Sequence, residues 1–278
     1  MSPVFARFVP DSGRGLIDDD GPALLSGQLL SRYAARICGP VLEMTATKAS
    51  ALVGFLRACR HEEALVVVAV TGEVRARSPR AAELARAGVL HAALLAGYGG
   101  PLVLVARAVV DAAGPDADTR LRERIARDID AGYTSIGISA RALNDADEWA
   151  RVAPMLGELD LGIELEVGAS EEAALLLAQV DDLGLPISAV RGAGLFDEIG
   201  AAVRVVDAAD LPPDGRDSDV PLPLRVCIDG LLRVGGDDDS VEARAWMATT
   251  RLLARLGGRD TAVRLEEALA AVLAEVPG

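Results

Sequence analysis

Leu161-Gly162-Ile163-Glu164-Leu165-Glu166-Val167-Gly168 is the stretch on which the fold turns. Ile163, Leu165 and Val167 alternate with Glu164 and Glu166, and a period of two is that of a β-strand. Helical segments flank the stretch on both sides, so the apolar row must face helices. The two carboxylates must then face elsewhere. An open parallel sheet has both faces covered and leaves no place for them. The lumen of a closed barrel accepts polar side chains near its mouth. The stretch therefore predicts a βα barrel with a polar lumen.

Moving outward, strands are expected at Val41–Ala46, Ala64–Val70, Pro101–Arg107, Tyr133–Ser139, Leu185–Arg191 and Pro223–Asp229. Ala64–Val70 is continuously apolar and rich in valine, as a strand buried on both faces should be. Ala202–Val206 and Leu231–Val234 compete to be the eighth strand, and a closed and a broken barrel after residue 195 both stay open. Helices are expected at Gly21–Ile37, Ala49–Arg60, Pro79–Leu95, Thr119–Asp130, from an Asn144 cap through Pro154, and at Ser170–Leu183, Ser240–Leu256 and Asp260–Val276. Strand–helix alternation on this scale implies a parallel sheet. The fold class is α/β, a single (β/α)8 barrel over residues 1–278. Residues 1–40 form an N-terminal extension and leading helix, and 240–278 form closing helices. No repeat or low-complexity linker divides the chain.

The 278 residues suit a barrel of ~250, and 51% are hydrophobic, enough for a large core. The net charge of −14 argues against nucleic acid, which needs a basic footprint, and against anionic membrane. No apolar run of ~18 residues is present to span a bilayer. Cys38, Cys59 and Cys227 are scattered and read as buried, reduced thiols of a cytoplasmic protein. Lys48 is the single lysine and the only Schiff-base candidate; a solvated surface lysine is the plainer reading. Asp237-Asp238-Asp239 reads as a helix cap.

Strand parity brings Glu43, Thr45, Arg107, Ser139, Glu164, Glu166, Arg191, Arg225 and Asp229 inward. Barrel active sites lie at the C-terminal ends of strands. One reading of this set is an internal ion-pair network. The other is an anion site, with Arg191, Arg107 and Arg225 suited to bidentate recognition of phosphate or carboxylate. Gly192-Ala193-Gly194 follows Arg191, where exposed N–H groups and a helix start could hold a phosphate; an ordinary tight turn is the alternative. Glu164, Glu166 and Asp229 are the catalytic candidates. Glu164 and Glu166 could act as general bases, or join Asp229 around magnesium, the one candidate cofactor, which accepts oxygen ligands.

Several segments together resemble the class II, metal-dependent ketose-bisphosphate aldolases. They are Phe55-Leu56-Arg57-Ala58-Cys59-Arg60 before Ala64–Val68, Gly99-Gly100-Pro101-Leu102-Val103-Leu104, Asp128–Ile136 and Gly162–Gly168. The likeness covers residues 25–170, and Asp130–Ser135 is its most specific piece. It implies an aldolase-like barrel in which Glu166 stands at the family's zinc-binding glutamate. The family's histidines do not carry over. Arg107 and Ala108 stand where an Asp-His pair is expected, and Cys227-Ile228-Asp229-Gly230 stands where the family has His-Gly-Gly. The two histidines, His61 and His91, belong near the other end of the barrel. No set of about three zinc ligands results. The expectation is a divergent barrel without zinc-dependent aldolase activity, acting as a non-catalytic binding or assembly subunit. The alternative is a lyase or isomerase acting on a small anionic metabolite, without zinc or with magnesium. The resemblance also implies a homo-oligomer or a subunit beside a partner. A third possibility is a structural protein that oligomerises through its outer helices.

Overall fold

The computed structural model describes residues 2–14, 21–78, 80–107, 116–139, 142–143, 146–159, 161–167, 182–185, 187–192, 203–211, 224–232 and 237–275. Eight parallel strands close into a barrel: β2 (Val41–Thr45), β3 (Val66–Val70), β4 (Pro101–Ala106), β5 (Ser135–Ser139), β6 (Gly162–Glu166), β7 (Ile187–Arg191), β8 (Val203–Asp207) and β9 (Leu224–Cys227), with β9 pairing back to β2. The closed (β/α)8 architecture is the expected one. Beyond residue 195 the described strands close it, β8 and β9 pairing in continuous register and Glu43 lying opposite Cys227; the segments 193–202 and 212–223 lie outside the described residues. The eighth strand is Val203–Asp207. Leu231 and Leu232, the start of the competing candidate, belong to a 3-10 turn over Asp229–Leu232, turned at Asp229, whose Oδ1 accepts from Thr45 N at 2.8 Å; residues 233–234 lie outside the described residues.

The helices between the strands are α3 (Ala49–His61), α4 (Gly72–Arg75), α5 (Ala81–Ala96), α6 (Ala117–Asp130) and α7 (Ala146–Gly157), and α8 (Asp238–Leu256) and α9 (Thr261–Glu275) end the chain. The helix expected at Pro79–Leu95 is α5, and the short α4 precedes it as an addition. The expected Ser170–Leu183 helix lies outside the described residues except for its last two positions, of which Asp182 is helical, and the Asn144 cap lies outside them. Asp237 caps α8 as expected, its Oδ1 accepting from Ser240 N at 2.8 Å. No described helix is long and apolar enough to cross a membrane. Cys59 and Cys227 are buried, but Cys38 is exposed: it ends helix α2 (Gly27–Ile37) at φ 50°, on the surface.

The N-terminal region departs from the expected helix. Ala23–Leu24 is a strand, β1, and the helix α2 runs only over Gly27–Ile37, after a short α1 (Pro3–Ala6). Ala23 N and Leu25 N donate to the Gly100 and Leu102 carbonyls at 3.2 and 2.9 Å. Pairing with a distant strand overrides the helical spacing of the leucines. β4 and β5 pair only at Val105↔Ser135 and Ala106↔Ile136, so β1 fills the splay below them. Gly27 and Gly162 meet there. A Cβ on Gly162 would lie 2.6 Å from Gly27 Cα, so neither position accepts a side chain.

Two apolar layers result. Leu42, Met44, Val66, Val68, Leu102 and Leu104 face outward onto the helices. Val41, Val67, Ala69, Val103 and Val105 face inward and pack with Leu25, Leu30 and Tyr33 of the N-terminal segment and Leu265 and Leu269 of α9. The lumen is therefore apolar beside β3 and β4, and its polar residues gather on the other strands.

Candidate functional site: the charged lumen

Parity along β2 turns Val41, Glu43 and Thr45 inward. β9 contributes Arg225 and Cys227, and β7 contributes Ala189 and Arg191. β6 carries a bulge at Ile163/Glu164 against β7, after which Glu166 lies opposite Arg191. A bulge re-aims the side chains that follow it.

Arg225 is the centre of the lower layer. Its Nη1 and Nη2 clasp Glu164 at 2.8 and 2.5 Å, a bidentate pair. Its Nε stands 2.7 Å from Glu43 Oε2. Ser135 Oγ lies 2.9 Å from Glu164 Oε1. Above this layer Arg191 donates to Glu43 Oε1. Arg107 reaches Thr45 Oγ1 at 2.8 Å, Glu166 Oε1 at 3.5 Å and Asp229 Oδ2 at 3.9 Å. Side-chain exposure rises from 0% at Glu43 to 29% at Asp229, so the network runs from a dry interior to the mouth.

Burial alone would raise the Glu43 carboxyl, but Arg191, Arg225 and Arg107 overcome it and hold it down at about 2. For Glu166 the balance is the reverse. Burial dominates the pull of Arg107 and Arg191, and Glu164 and Glu43 add repulsion, so its carboxyl lies above the ordinary range. Burial, with Glu43 and Asp229 nearby, pushes the Cys227 thiol up to about 12. Cys227 is therefore an inert thiol.

Six of the expected site residues thus converge: Glu164, Glu166, Asp229, Arg107, Arg191 and Arg225. Gly192 follows β7, and a Cβ there would lie 2.6 Å from the Val167 carbonyl oxygen, so close packing against the end of β6 accounts for this glycine. Gly194 lies outside the described residues. Ser139 is buried at the end of β5. Ser135, absent from the inward set that parity yields, touches Glu164 and lies on the same alternating face as Ser139. Glu43, inward by parity but outside the expected site, joins two arginines. Lys48 is exposed at the start of α3, as a solvated lysine should be.

The donor set does not suit a metal ion. Among the described residues no group of three or more His, Cys, Asp or Glu is placed to hold one. The carboxylates face guanidinium groups, which repel a cation. His61 and His91 are exposed on α3 and α5.

No protein-family model and no curated protein matches this sequence. Solved structures do match. The YdjI aldolase from Escherichia coli K12 superimposes with a TM-score of 0.60 at 14% identity, over 86% of this chain and 99% of that one. Fructose-bisphosphate aldolase from Campylobacter jejuni does so with a TM-score of 0.57 at 11% identity, over 89% of this chain and 99% of that one. At such identities the likeness is one of fold: the chain shares the closed (β/α)8 barrel of these structures.

Proposed function

We propose that this barrel does not carry out zinc-dependent aldol chemistry and serves as a non-catalytic binding or assembly subunit. The observation that carries the reading is the mutual pairing in the lumen. Three arginines, Arg107, Arg191 and Arg225, face four carboxylates, Glu43, Glu164, Glu166 and Asp229. With every group ionised the set sums to −1, which repels an anionic substrate rather than attracting it. Glu166, the counterpart of the zinc-binding glutamate by resemblance, has Arg107 for its neighbour. The absence of the family's histidines from their strand ends agrees with this reading.

An assembly role is supported on the outside. Leu84, Leu94 and Leu95 of α5 and Trp246 and Met247 of α8 are exposed. Apolar surface of this kind often marks a contact with another subunit. These helices flank α3, where Arg57 pairs with Glu242 and reaches the Leu95 carbonyl.

The test is to measure zinc content and cleavage of fructose 1,6-bisphosphate after purification with added zinc, together with mass by light scattering. The expected result is no retained zinc, no cleavage, and an oligomer that weakens in Leu94→Arg or Trp246→Arg. Stoichiometric zinc that is lost in Glu166→Gln would overturn the proposal. One observation favours a second reading, an enzyme of small phosphorylated or carboxylated metabolites. Glu166 is a carboxyl of raised pKa at the partly open mouth, as a general base would be. Any turnover abolished in Glu166→Gln would decide for it.

A further inference from the structure

A surface helix ordinarily turns its large apolar side chains inward, and α5 does the reverse. Its buried face is Ala81, Ala82, Val89, Ala92, Ala93 and Ala96, all small but for the valine. Its outer face is Leu84, Ala87, Gly88, His91, Leu94 and Leu95, and the three leucines are 67%, 65% and 55% exposed. Spacings of three, four and seven place these residues on one stripe. Nothing lies within 4 Å of the position a Cβ would take on Gly88. We propose that this stripe pairs with the same stripe of a second copy of the chain, antiparallel about a two-fold axis beside Val89 and Leu90. The contact deepens the assembly role proposed above, on which it rests, by naming the partner.

Symmetry selects the occupant. In a two-fold contact residue i meets j and j meets i. With the axis between residues 89 and 90, Leu84 of each copy meets Leu95 of the other. Gly88 meets His91, so each imidazole enters the space that the other copy's glycine leaves open. An unrelated partner has no need of a stripe that reads alike in both directions. Charge agrees. Copies of net charge −14 repel one another over most of their surface, but the stripe carries no ionisable group besides His91. Glu83 is exposed at the N-terminal end of α5. Arg60, also exposed, lies across the C-terminal end, where its Nη1 donates to the Ala96 carbonyl at 3.4 Å. Neither Glu83 nor Arg60 has an ion pair among the described residues. Within one chain the length of α5 separates them, roughly 20 Å at a rise of ~1.5 Å per residue. Antiparallel pairing sets Glu83 opposite Ala96 of the second copy, and so beside its Arg60, twice by symmetry. An apolar centre with a polar rim is the ordinary anatomy of an interface.

Sedimentation equilibrium of the full chain tests the proposal. The wild type is expected to dimerise reversibly. Leu84→Glu with Leu95→Glu, both exposed, should leave a monomer that melts close to the wild type. Glu83→Arg and Arg60→Glu should each weaken the dimer at least about tenfold, because each sets like charges face to face twice. General repulsion predicts otherwise for Glu83→Arg, which makes the chain less negative and would strengthen association. Mixing the two single variants should restore the dimer, since one swapped pair and one native pair then face each other. A wild type that stays monomeric at about 100 μM, a dimer that survives the double leucine variant, or single variants that fail to recover on mixing would each overturn the proposal. A monomer without zinc or cleavage would sink the dimer and leave the non-catalytic reading in place; zinc and cleavage in a dimer that recovers on mixing would do the reverse.

Discussion

Arg225 Nε stands 2.7 Å from Glu43 Oε2 while the same guanidinium clasps Glu164. One buried cation on β9 therefore balances two buried anions, one from β2 and one from β6. Replacing Arg225 with Met should destabilise the fold by about 3–5 kcal/mol, because it leaves charges buried without compensation. Urea unfolding would measure the loss. Adding Glu164→Gln to that variant should recover much of it, since the penalty lies in the orphaned carboxylate.

Acid should weaken the fold in part through Glu43. Its carboxyl is depressed from 4.5 to about 2, so the folded state holds its proton less tightly than the unfolded chain. The resulting stability is fully present above pH 4.5 and is lost as pH falls toward 2. Stability followed by urea midpoint across this window should fall more steeply in the wild type than in Glu43→Gln.

Glu166 has the opposite sign. Its raised pKa means that the native state favours the protonated carboxyl, so ionisation costs stability as pH rises above 4.5 through the folded value. Gln mimics the protonated form. The melting temperature of Glu166→Gln relative to wild type should therefore be more favourable at pH 8 than at pH 4. An equal difference at both pH values would contradict the burial argument.

Thiol reactivity should divide by position. Cys59 and Cys227 are buried, with thiols pushed up chiefly by that burial, whereas Cys38 is exposed. Native protein should react with a disulfide reagent at Cys38 alone, and Cys38→Ser should abolish the native signal. Denatured wild type should titrate all three thiols.

Gly54 is where α3 and α8 approach most closely. A Cβ there would lie 2.2 Å from the Glu242 carbonyl oxygen. The obstacle is backbone, so the helices themselves must separate. Gly54→Ala should destabilise by about 1–3 kcal/mol through overpacking, despite alanine's better helix propensity. Thermal unfolding would check this.

The lumen was legible because period-two alternation fixes which side of a strand a residue occupies. Glu164, Glu166, Arg191 and Arg225 follow from that parity alone. Their partnerships do not. Whether Arg225 meets Glu164 or Glu166 depends on strand stagger and on the bulge at Ile163/Glu164, which no local pattern announces. β1 was illegible for a related reason: Ala23 and Leu25 find their carbonyl partners on β4, far along the chain, while their leucine spacing suits a helix. Gly192 resembled a phosphate loop because a glycine demanded by packing against Val167 looks the same in sequence as one demanded by a ligand. The Arg75–Asp128 pair joins two outer helices, where neither parity nor motif brings the residues to notice.

Because β1 seats in the gap below β4 and β5, it cannot take its final place until a stretch of chain well beyond it has formed. Its partners, Pro101 and Leu102, and the Thr134 carbonyl that accepts from Gly27 N, emerge only after several intervening strands and helices. Until then Ala23, Leu24 and Leu25, all fully buried in the finished barrel, remain uncovered and free to meet other chains. Such sequence-distant pairing slows folding, and exposed apolar segments of this kind favour aggregation during it. The same segment that seals the base of the barrel thus makes folding depend on how soon its distant partners reach it.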